Sequence, residues 1–170
     1  TFCRQTRNRT VPYEHHRRRM GMIVECGNCR TKNRIPEKKQ HEAPRCGRCG
    51  ESIDLTGRVV PVELGDHDLQ AFVAGSRLPV LVDFYSPGCG PCRSLAPVLD
   101  SMANRFYRKV VIAKVNTELH QGSALRYGIK GVLTLLFFRN GVLNDQVVGV
   151  PLQNMLVDKL EKLAAAGGGS

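Results

Sequence analysis

The sequence has no tryptophan and no long apolar segment. No run approaches the roughly 18 consecutive apolar residues that a membrane-spanning helix needs, so we expect no membrane partner. The first 20 residues are polar and rich in arginine, without the apolar core of a secretory signal. These absences predict a soluble protein in the cytoplasm.

Acidic residues are also scarce, with 15 Asp and Glu against 25 Lys and Arg. The excess is concentrated in residues 1–58, which hold 14 basic and 6 acidic residues. An arginine-rich tail over residues 1–21 supplies much of it, and such tails attract nucleic acid or acidic membranes. Because no aromatic platform or basic helical face accompanies the tail, we expect it to be disordered and expect no nucleic-acid partner. Residues 166–170 look like a linker and are left out of the fold.

Seven cysteines are present, and six of them form three C-x-x-C pairs. Without an export signal, such pairs favour metal or redox roles over an extracellular disulfide framework. The first two pairs are separated by 16 residues and lie in a segment with few apolar residues. Two tight turns that each present two thiolates suit tetrahedral Zn²⁺. We therefore predict a four-cysteine zinc ribbon over residues 22–57, with one structural Zn²⁺ per chain held by Cys26, Cys29, Cys46 and Cys49.

Two alternatives to this zinc site stay open, namely disulfides among the four cysteines and an iron–sulfur site. A ribbon this small can hardly fold without a metal. We expect that zinc removal unfolds the ribbon and leaves the rest of the chain largely intact, because the rest has its own core.

From Val59 onward, strand and helix patterns alternate. Asp66 is a candidate cap for the first helix, Pro97 is expected to kink the second, and Asn140-Gly141 signals a hairpin turn. The order predicts an α/β domain over residues 58–165, a mixed sheet with helices on both faces. The patterns place strands at 59–64, 80–85, 110–115, 134–138 and 146–149, and helices at 66–74, 92–107, 118–127 and 152–163.

The third cysteine pair, Cys89-Gly90-Pro91-Cys92, lies where a predicted strand ends and a helix begins. Unpaired N–H groups at a helix N-terminus lower the pKa of a nearby thiol, so Cys89 is expected to supply a thiolate at neutral pH. Cys92, one turn further on, is expected to be shielded and to attack a mixed disulfide. A second metal site is the alternative, but no further ligand pair remains in this domain.

A carboxyl group interrupts the apolar strand that precedes this pair. Asp83 stands between Val82 and Phe84, where burial is costly unless the group is paired or protonated, so its pKa is expected to rise. Lys114 occupies a similar place in the next buried strand. We expect the two to form a buried acid–base pair beneath the cysteines, with Asp83 taking the proton of Cys92.

Several motifs together resemble the thioredoxin family, and with the ribbon the chain is similar to the zinc-containing bacterial thioredoxins. They are Val82-Asp83-Phe84, Cys89-Gly90-Pro91-Cys92-Arg93, Leu95-Ala96-Pro97, Tyr127-Gly128-Ile129-Lys130-Gly131-Val132 and, in the ribbon, Asn33-Arg34-Ile35-Pro36. The resemblance implies a thioredoxin fold with a reducing dithiol. Cys89 would be the nucleophile, Cys92 the resolving thiol and Asp83 the buried proton carrier.

The chain departs from that family at two positions. Gly88 stands where thioredoxins usually carry tryptophan, and Leu133 stands where they usually carry a cis proline. A cis bond before a non-proline residue costs about 3–4 kcal/mol, so we expect a trans bond or a reshaped loop. In the family these regions contact the substrate, which places Gly88, Gly90, Pro91, Val132 and Leu133 in the substrate-binding surface. Restoring proline at 133 is expected to improve reduction of protein disulfides.

The sequence thus predicts a thiol–disulfide oxidoreductase that reduces protein disulfides and carries a structural zinc ribbon. Its expected partners are disulfide-containing proteins and an NADPH-dependent thioredoxin reductase. One alternative is a degenerate thioredoxin-like protein that binds a partner or a metal cluster with little turnover. A nucleic-acid-binding ribbon protein is the third alternative, and salt-dependent binding through residues 1–58 would distinguish it.

Overall fold

The computed structural model describes residues 21–165. The predicted basic tail, apart from Gly21, and the linker-like residues 166–170 lie outside this range. None of the helices within residues 21–165 is long and apolar enough to cross a bilayer.

The cysteine-rich segment begins with a short antiparallel hairpin. Strand β1 (Gly21–Glu25) pairs with β2 (Lys32–Pro36), and a 3₁₀ turn (Glu37–Lys39) follows. An isolated bridge joins Arg45 and Ser52 around the second cysteine pair. The hairpin buries Val24 and Ile35, which gives this segment only a small core of its own.

A five-stranded mixed sheet forms the centre of the second part, with strand order β3-β5-β4-β6-β7. Strands β3, β5 and β4 run parallel, whereas β6 and β7 are antiparallel to their neighbours. The predicted mixed sheet is therefore confirmed. The strands are β3 (Val62–Glu63), β4 (Val80–Tyr85), β5 (Val111–Asn116), β6 (Thr134–Arg139) and β7 (Val142–Val148).

Four helices cover the two faces of this sheet, as predicted: α1 (Leu69–Gly75), α2 (Gly90–Arg105), α3 (Gln121–Arg126) and α4 (Gln153–Ala165). Apolar residues of α2 and α4 belong to one hydrophobic cluster, and those of α1 belong to the cluster on the opposite face. Helix α2 continues through Pro97 without interruption.

Some predicted boundaries are wrong. The strand expected over residues 59–64 is reduced to Val62–Glu63, and β7 begins four residues earlier than expected. Asp66 does not cap α1, whose N-cap is Asp68. Its carboxylate instead accepts a 2.6 Å hydrogen bond from the backbone N–H of Ser123 in α3, a partner that lies 57 residues away in sequence.

The cysteine-rich segment packs directly on the sheet domain. Val24, Ile35 and Leu55 belong to the same hydrophobic cluster as Leu99 and Leu160 of α2 and α4. The side chain of Asn104 in α2 also binds the backbone where the two parts join. Its Oδ1 accepts from Val59 N at 3.0 Å, and its Nδ2 donates to Val59 O at 2.9 Å. Because the two parts share one core, loss of the ribbon is expected to expose apolar surface of the sheet domain as well.

Candidate redox site and metal centre

The third cysteine pair caps the N-terminus of α2. Cys89 is the N-cap residue and is bonded to Cys92 in a disulfide, with 5.3 Å between their Cα atoms. The backbone N–H of Cys92 also donates to Cys89 Sγ at 3.1 Å. Cys92 is 3% exposed, whereas Cys89 is only half-buried. The structure therefore gives the two sulfurs unequal access to solvent, in the order that the sequence predicted.

The loop before Cys89 brings an acidic side chain beside the position of the missing tryptophan. Ser86 Oγ makes a short hydrogen bond to the carboxylate of Glu118 and accepts from Gly88 N at 3.2 Å. A Cβ atom built on Gly88 would lie 3.9 Å from that carboxylate, which is ordinary van der Waals contact. Sequence reasoning missed Glu118 because it lies in a different segment, after β5.

The loop before β6 holds Leu133 in an unusual backbone conformation. None of the peptide bonds between residues 21 and 165 is cis, and Leu133 has a φ of 63°. Its N–H donates to Phe84 O at 3.0 Å, and its carbonyl accepts from Gly149 N at 2.8 Å. The Leu133 side chain is 3% exposed and belongs to the same hydrophobic cluster as Cys92, while Val132 is 41% exposed.

This geometry changes the expected role of Leu133. Its side chain fills the interior behind the dithiol, and both of its backbone hydrogen-bonding groups are used within the protein. A leucine in the left-handed region carries a conformational cost of about 1–2 kcal/mol, which the burial and the two hydrogen bonds offset. The adjacent Val132 exposes its apolar side chain at the surface of this loop.

Asp83 lies in β4 and is 4% exposed. No hydrogen-bond partner for its Oδ1 exists among residues 21–165. Burial raises its pKa to about 7, against a smaller lowering by the charge of Lys114 and a further rise from that of Glu63. The rise agrees in direction with the expectation from the sequence. A carboxyl group in this state can exchange a proton near neutral pH.

Lys114 does not form the predicted buried pair with Asp83. It lies beside Asp83 in the neighbouring strand, but its side chain is about one third exposed and its Nζ lies 3.2 Å from Glu63 Oε1. Within the described part of the chain, no ion pair joins Lys114 to Asp83. The prediction was wrong because no local pattern indicates that Glu63, on the other neighbouring strand, competes for the lysine.

The first two cysteine pairs converge on one point. The Sγ atoms of Cys26, Cys29, Cys46 and Cys49 all lie within 4.8 Å of one another. Two Sγ–Sγ contacts, Cys26–Cys49 and Cys29–Cys46, measure 3.6 Å. A tetrahedral Zn²⁺ with bonds of about 2.3 Å places its sulfurs about 3.8 Å apart, so the four cysteines fit such an ion.

The two cysteine turns have the same backbone design. Arg30 N donates to Cys26 O, and Gly50 N donates to Cys46 O, both at 2.9 Å. The fifth residue of each turn has a positive φ, 58° at Arg30 and 74° at Gly50. The N–H of Arg48 and the amide of Asn33 also approach Cys46 Sγ at 3.5 Å, and backbone hydrogen bonding lowers the pKa of this thiol to about 6. These donors favour the thiolate of Cys46, which is the form in which a cysteine binds a metal.

Family comparisons cover both parts of the chain. The family model described as "Thioredoxin" matches residues 60–162, and the one described as "Thioredoxin 2, N-terminal" matches residues 25–51, which include all four clustered cysteines. The second match supports the resemblance to the zinc-containing type, and metal binding by the ribbon agrees with the convergence of the four sulfurs.

Individual relatives match about three fifths of the chain. The chain is 41% identical to the chloroplastic thioredoxin M-type of Pisum sativum over 99 residues, 58% of each chain. It is also 41% identical to a thioredoxin of Synechocystis over 100 residues, 59% of this chain and 94% of the relative. The chain thus spans less than two thirds of the pea protein and nearly all of the cyanobacterial one.

A solved structure supports the same assignment. A point-mutant thioredoxin from Halobacterium salinarum superposes with a TM-score of 0.57 at 32% identity, covering 62% of this chain and 91% of that one. The fold, the cysteine pair at the start of α2 and the family matches agree with one another. The chain belongs to the thioredoxin family and carries the zinc-ribbon segment of the thioredoxin 2 type at its N-terminal side.

Proposed function

We propose that this protein reduces disulfide bonds in other proteins through Cys89 and Cys92. The observation that carries the proposal is the cysteine pair at the N-terminus of α2, with one sulfur accessible and the other buried. The partial positive charge of the helix end favours the thiolate of Cys89. The disulfide between the two cysteines is the oxidised form that the reaction would leave behind.

The reaction proceeds in two thiol–disulfide exchanges. In the first, the Cys89 thiolate attacks one sulfur of a substrate disulfide, which forms a mixed disulfide and releases the other substrate sulfur as a thiolate. In the second, Cys92 loses its proton and attacks Cys89 Sγ, which releases the remaining substrate sulfur. The substrate gains two electrons, and the dithiol becomes the Cys89–Cys92 disulfide.

Asp83 accepts the proton of Cys92 in the second exchange. Its carboxyl group is buried, and its pKa of about 7 matches the pH at which the transfer would occur. Cys92 belongs to the same hydrophobic cluster as Leu81 and Leu135, which flank the carboxyl along its own strand and across the strand pair. Lys114 acts on Asp83 through its charge and not through a direct ion pair.

The substrate peptide contacts the surface around Cys89. Gly88 and Pro91 are exposed on one side of the dithiol, Gly90 is half-buried, and Val132 is exposed in the loop before β6. Leu133 supports this loop from inside and contributes no side-chain surface. The four ribbon cysteines hold one structural Zn²⁺, because all four are used as ligands and no open position remains for a reactant.

The dithiol is regenerated by an NADPH-dependent thioredoxin reductase, and the reaction takes place in the cytoplasm. Reduction of insulin by the wild-type protein, coupled to NADPH oxidation through thioredoxin reductase, tests the proposal. We expect turnover that is abolished in Cys89→Ser. Cys92→Ser is expected to accumulate a mixed disulfide, because the second exchange is missing. A folded wild-type protein without insulin reduction would refute the proposal.

A second candidate function is supported by the two departures from the family. Leu133 changes the backbone of the loop before β6, Gly88 removes a side chain beside Cys89, and a protein that binds a partner without turnover would tolerate such changes. This candidate predicts a stable complex that does not depend on Cys92. A complex that forms equally with wild type and Cys92→Ser, and survives reducing agents, would favour binding over catalysis.

A further inference from the structure

Three charged residues occupy one row across three parallel strands. Glu63 of β3 pairs in register with Lys114 of β5, and Lys114 pairs in register with Asp83 of β4. Because β5 lies between β3 and β4, Lys114 has one carboxyl group on each side. In-register residues of parallel strands point to the same face of the sheet, so the two carboxyl groups compete for one ammonium.

The structure shows which carboxyl group forms the ion pair with Lys114. Lys114 Nζ lies 3.2 Å from Glu63 Oε1, and the same oxygen accepts a 3.0 Å hydrogen bond from the Tyr85 hydroxyl. Lys114 Nζ also lies 5.8 Å from the centroid of the Tyr85 ring. These contacts hold the ammonium toward the sheet edge, where the side chains of Lys114 and Glu63 are about one third exposed, while Asp83 stays buried with an unpartnered Oδ1.

We propose that Glu63 is a positioning residue for the dithiol chemistry: it holds Lys114 on the far side of β5 and thereby leaves Asp83 free to bind and release a proton. This inference rests on the proposed disulfide reduction. Lysine has a flexible stem with a strongly hydrated charge. Without Glu63, Asp83 is the one carboxyl group left in the row. The charge of Lys114 also acts on Glu37, but the Glu37 carboxylate is already bound to the backbone N–H of residue 63. The expected new arrangement is therefore a Lys114–Asp83 ion pair.

Such an ion pair would weaken Asp83 as a proton acceptor. An adjacent ammonium stabilises the carboxylate and lowers its proton affinity. A general base works best when its pKa lies near the working pH, and the pKa of an ion-paired carboxylate lies well below that pH. The direction found for Lys114 agrees, since its charge already lowers the pKa of Asp83 from its present position. The charge of Glu63 raises the pKa of Asp83 directly, so this effect has to be separated from the movement of Lys114.

Few other groups act on Asp83 from the elements around it. Strand β6 presents Leu135 opposite Asp83, and α2 contributes Cys92 to the same cluster. The ribbon contributes Glu37, whose carboxylate accepts from the backbone N–H of Glu63. Glu37 therefore fixes the backbone of the positioning residue, and burial raises its own pKa. Tyr85 adds a hydroxyl that remains bound to Glu63.

The test is a carboxyl titration of Asp83 in the oxidised protein, followed by ¹³C NMR and assigned with Asp83→Asn. Glu63→Gln keeps the shape of the side chain and an acceptor for Tyr85 but removes the charge that holds Lys114. We expect Asp83 to bind its proton about tenfold more weakly in this variant. Lys114→Met is expected to shift the midpoint to higher pH. Glu161→Gln, which removes an equal charge from α4, is the control and should leave the midpoint unchanged.

The double variant separates positioning from a direct effect of the Glu63 charge. Glu63 and Asp83 are two strand spacings apart, about 10 Å, so the direct effect of the Glu63 charge on Asp83 is expected to be smaller than that of a newly formed Lys114–Asp83 ion pair. We therefore expect Glu63→Gln to have little effect in the Lys114→Met background. An undiminished shift in that background, or a Glu63→Gln midpoint equal to that of the control, would overturn the proposal. The titration needs no turnover. A wild type that fails to reduce insulin would therefore refute the proposed function, while the Asp83 midpoints would still decide whether Glu63 positions Lys114.

Discussion

Replacing Asp83 by asparagine is expected to stabilise the protein in a strongly pH-dependent way. The substitution keeps the size of the side chain and removes its ionisation. In the native protein burial raises the pKa of Asp83 from 3.8 to about 7, so folding holds a proton that the unfolded chain would release. Below about pH 4 the group is protonated in both states and costs nothing through ionisation.

The size of the effect follows from the same two values. Between about pH 4 and 7 the unfolded chain is ionised while the native protein stays protonated, so stability falls as the pH rises, by about 1.4 kcal/mol per pH unit. The penalty is about 1.5 kcal/mol at pH 5 and reaches a plateau of about 4 kcal/mol above pH 7. Asp83→Asn removes it, and its advantage over wild type should grow by about 2 kcal/mol or more from pH 5 to pH 8.

Urea unfolding of the oxidised proteins at the two pH values measures this difference directly. Any pH-independent change caused by burying the amide cancels when the two pH values are compared. Asp158→Asn, an exposed substitution in α4, is the matched control and should give the same small effect at both. If Asp83→Asn shifts stability equally at pH 5 and pH 8, the pKa of Asp83 is not raised by folding, and its carboxylate would be a much weaker proton acceptor in the second exchange than proposed.

Three further predictions concern other parts of the chain. Leu133→Pro is expected to lower the free energy of unfolding by about 3 kcal/mol in urea titrations, because proline cannot adopt a φ of 63° and removes the hydrogen bond to Phe84 O. Leu133→Ala is the control for loss of the side chain, and a proline variant as stable as wild type would contradict the loop structure. Arg30→Gly is expected to raise the unfolding free energy of the zinc-bound protein by about 1 kcal/mol, since the exposed Arg30 has a φ of 58° where the second turn carries Gly50. A loss of stability would mean that contacts of the Arg30 side chain stabilise the protein by more than its backbone conformation costs. Burial lowers the pKa of His41 to about 4, so acidification from about pH 6.5 toward 4 should destabilise the native protein by up to about 3 kcal/mol. His41→Leu should remove that part of the slope in stability measured against pH, and an unchanged slope would show that folding does not alter the titration of His41.

Zinc removal is the point at which the structure alters an expectation from the sequence. The sequence predicts an independent ribbon, whereas Val24, Ile35 and Leu55 share a cluster with α2 and α4. We now expect chelation to lower the melting temperature of the whole protein and not only to unfold the ribbon. Circular dichroism at a wavelength dominated by the helices of the sheet domain, before and after chelation, distinguishes the two outcomes.

Local patterns predicted the parts of this molecule that depend on neighbouring residues. Strand β4 begins and ends where its apolar run does, at Val80 and Tyr85, and the hairpin turn at Asn140-Gly141 has positive φ at both residues. The metal centre was predictable for the same reason, because ligand spacing within each turn fixes two sulfurs at a time. The first turn connects β1 and β2, and the chain from β2 through the following 3₁₀ turn brings the second cysteine pair to the first.

Features that depend on distant residues were not predictable in this way. Asp66 has the composition of a helix cap, yet its carboxylate binds Ser123 across 57 residues. No local sequence pattern marks Glu63 as a partner of Lys114, because that role depends on a three-strand register that brings residues 63, 114 and 83 into one row. The sequence therefore predicted that Lys114 pairs with Asp83, whereas its ion-pair partner in the structure is Glu63.

Leu133 shows the same limit at the level of the backbone. The sequence reveals that a proline is missing and suggests that restoring it would restore a binding surface. The structure shows a loop built around the leucine, with its side chain in the core, its N–H bound to Phe84 and its carbonyl bound to Gly149. A proline at this position would have to break one of those bonds and reverse the sign of φ. The loop thus differs in construction from the family's, and improved reduction of protein disulfides is more reasonably sought at Gly88, where an added Cβ would make only ordinary van der Waals contacts, 3.7 Å from Ser86 Oγ and 3.9 Å from the Glu118 carboxylate.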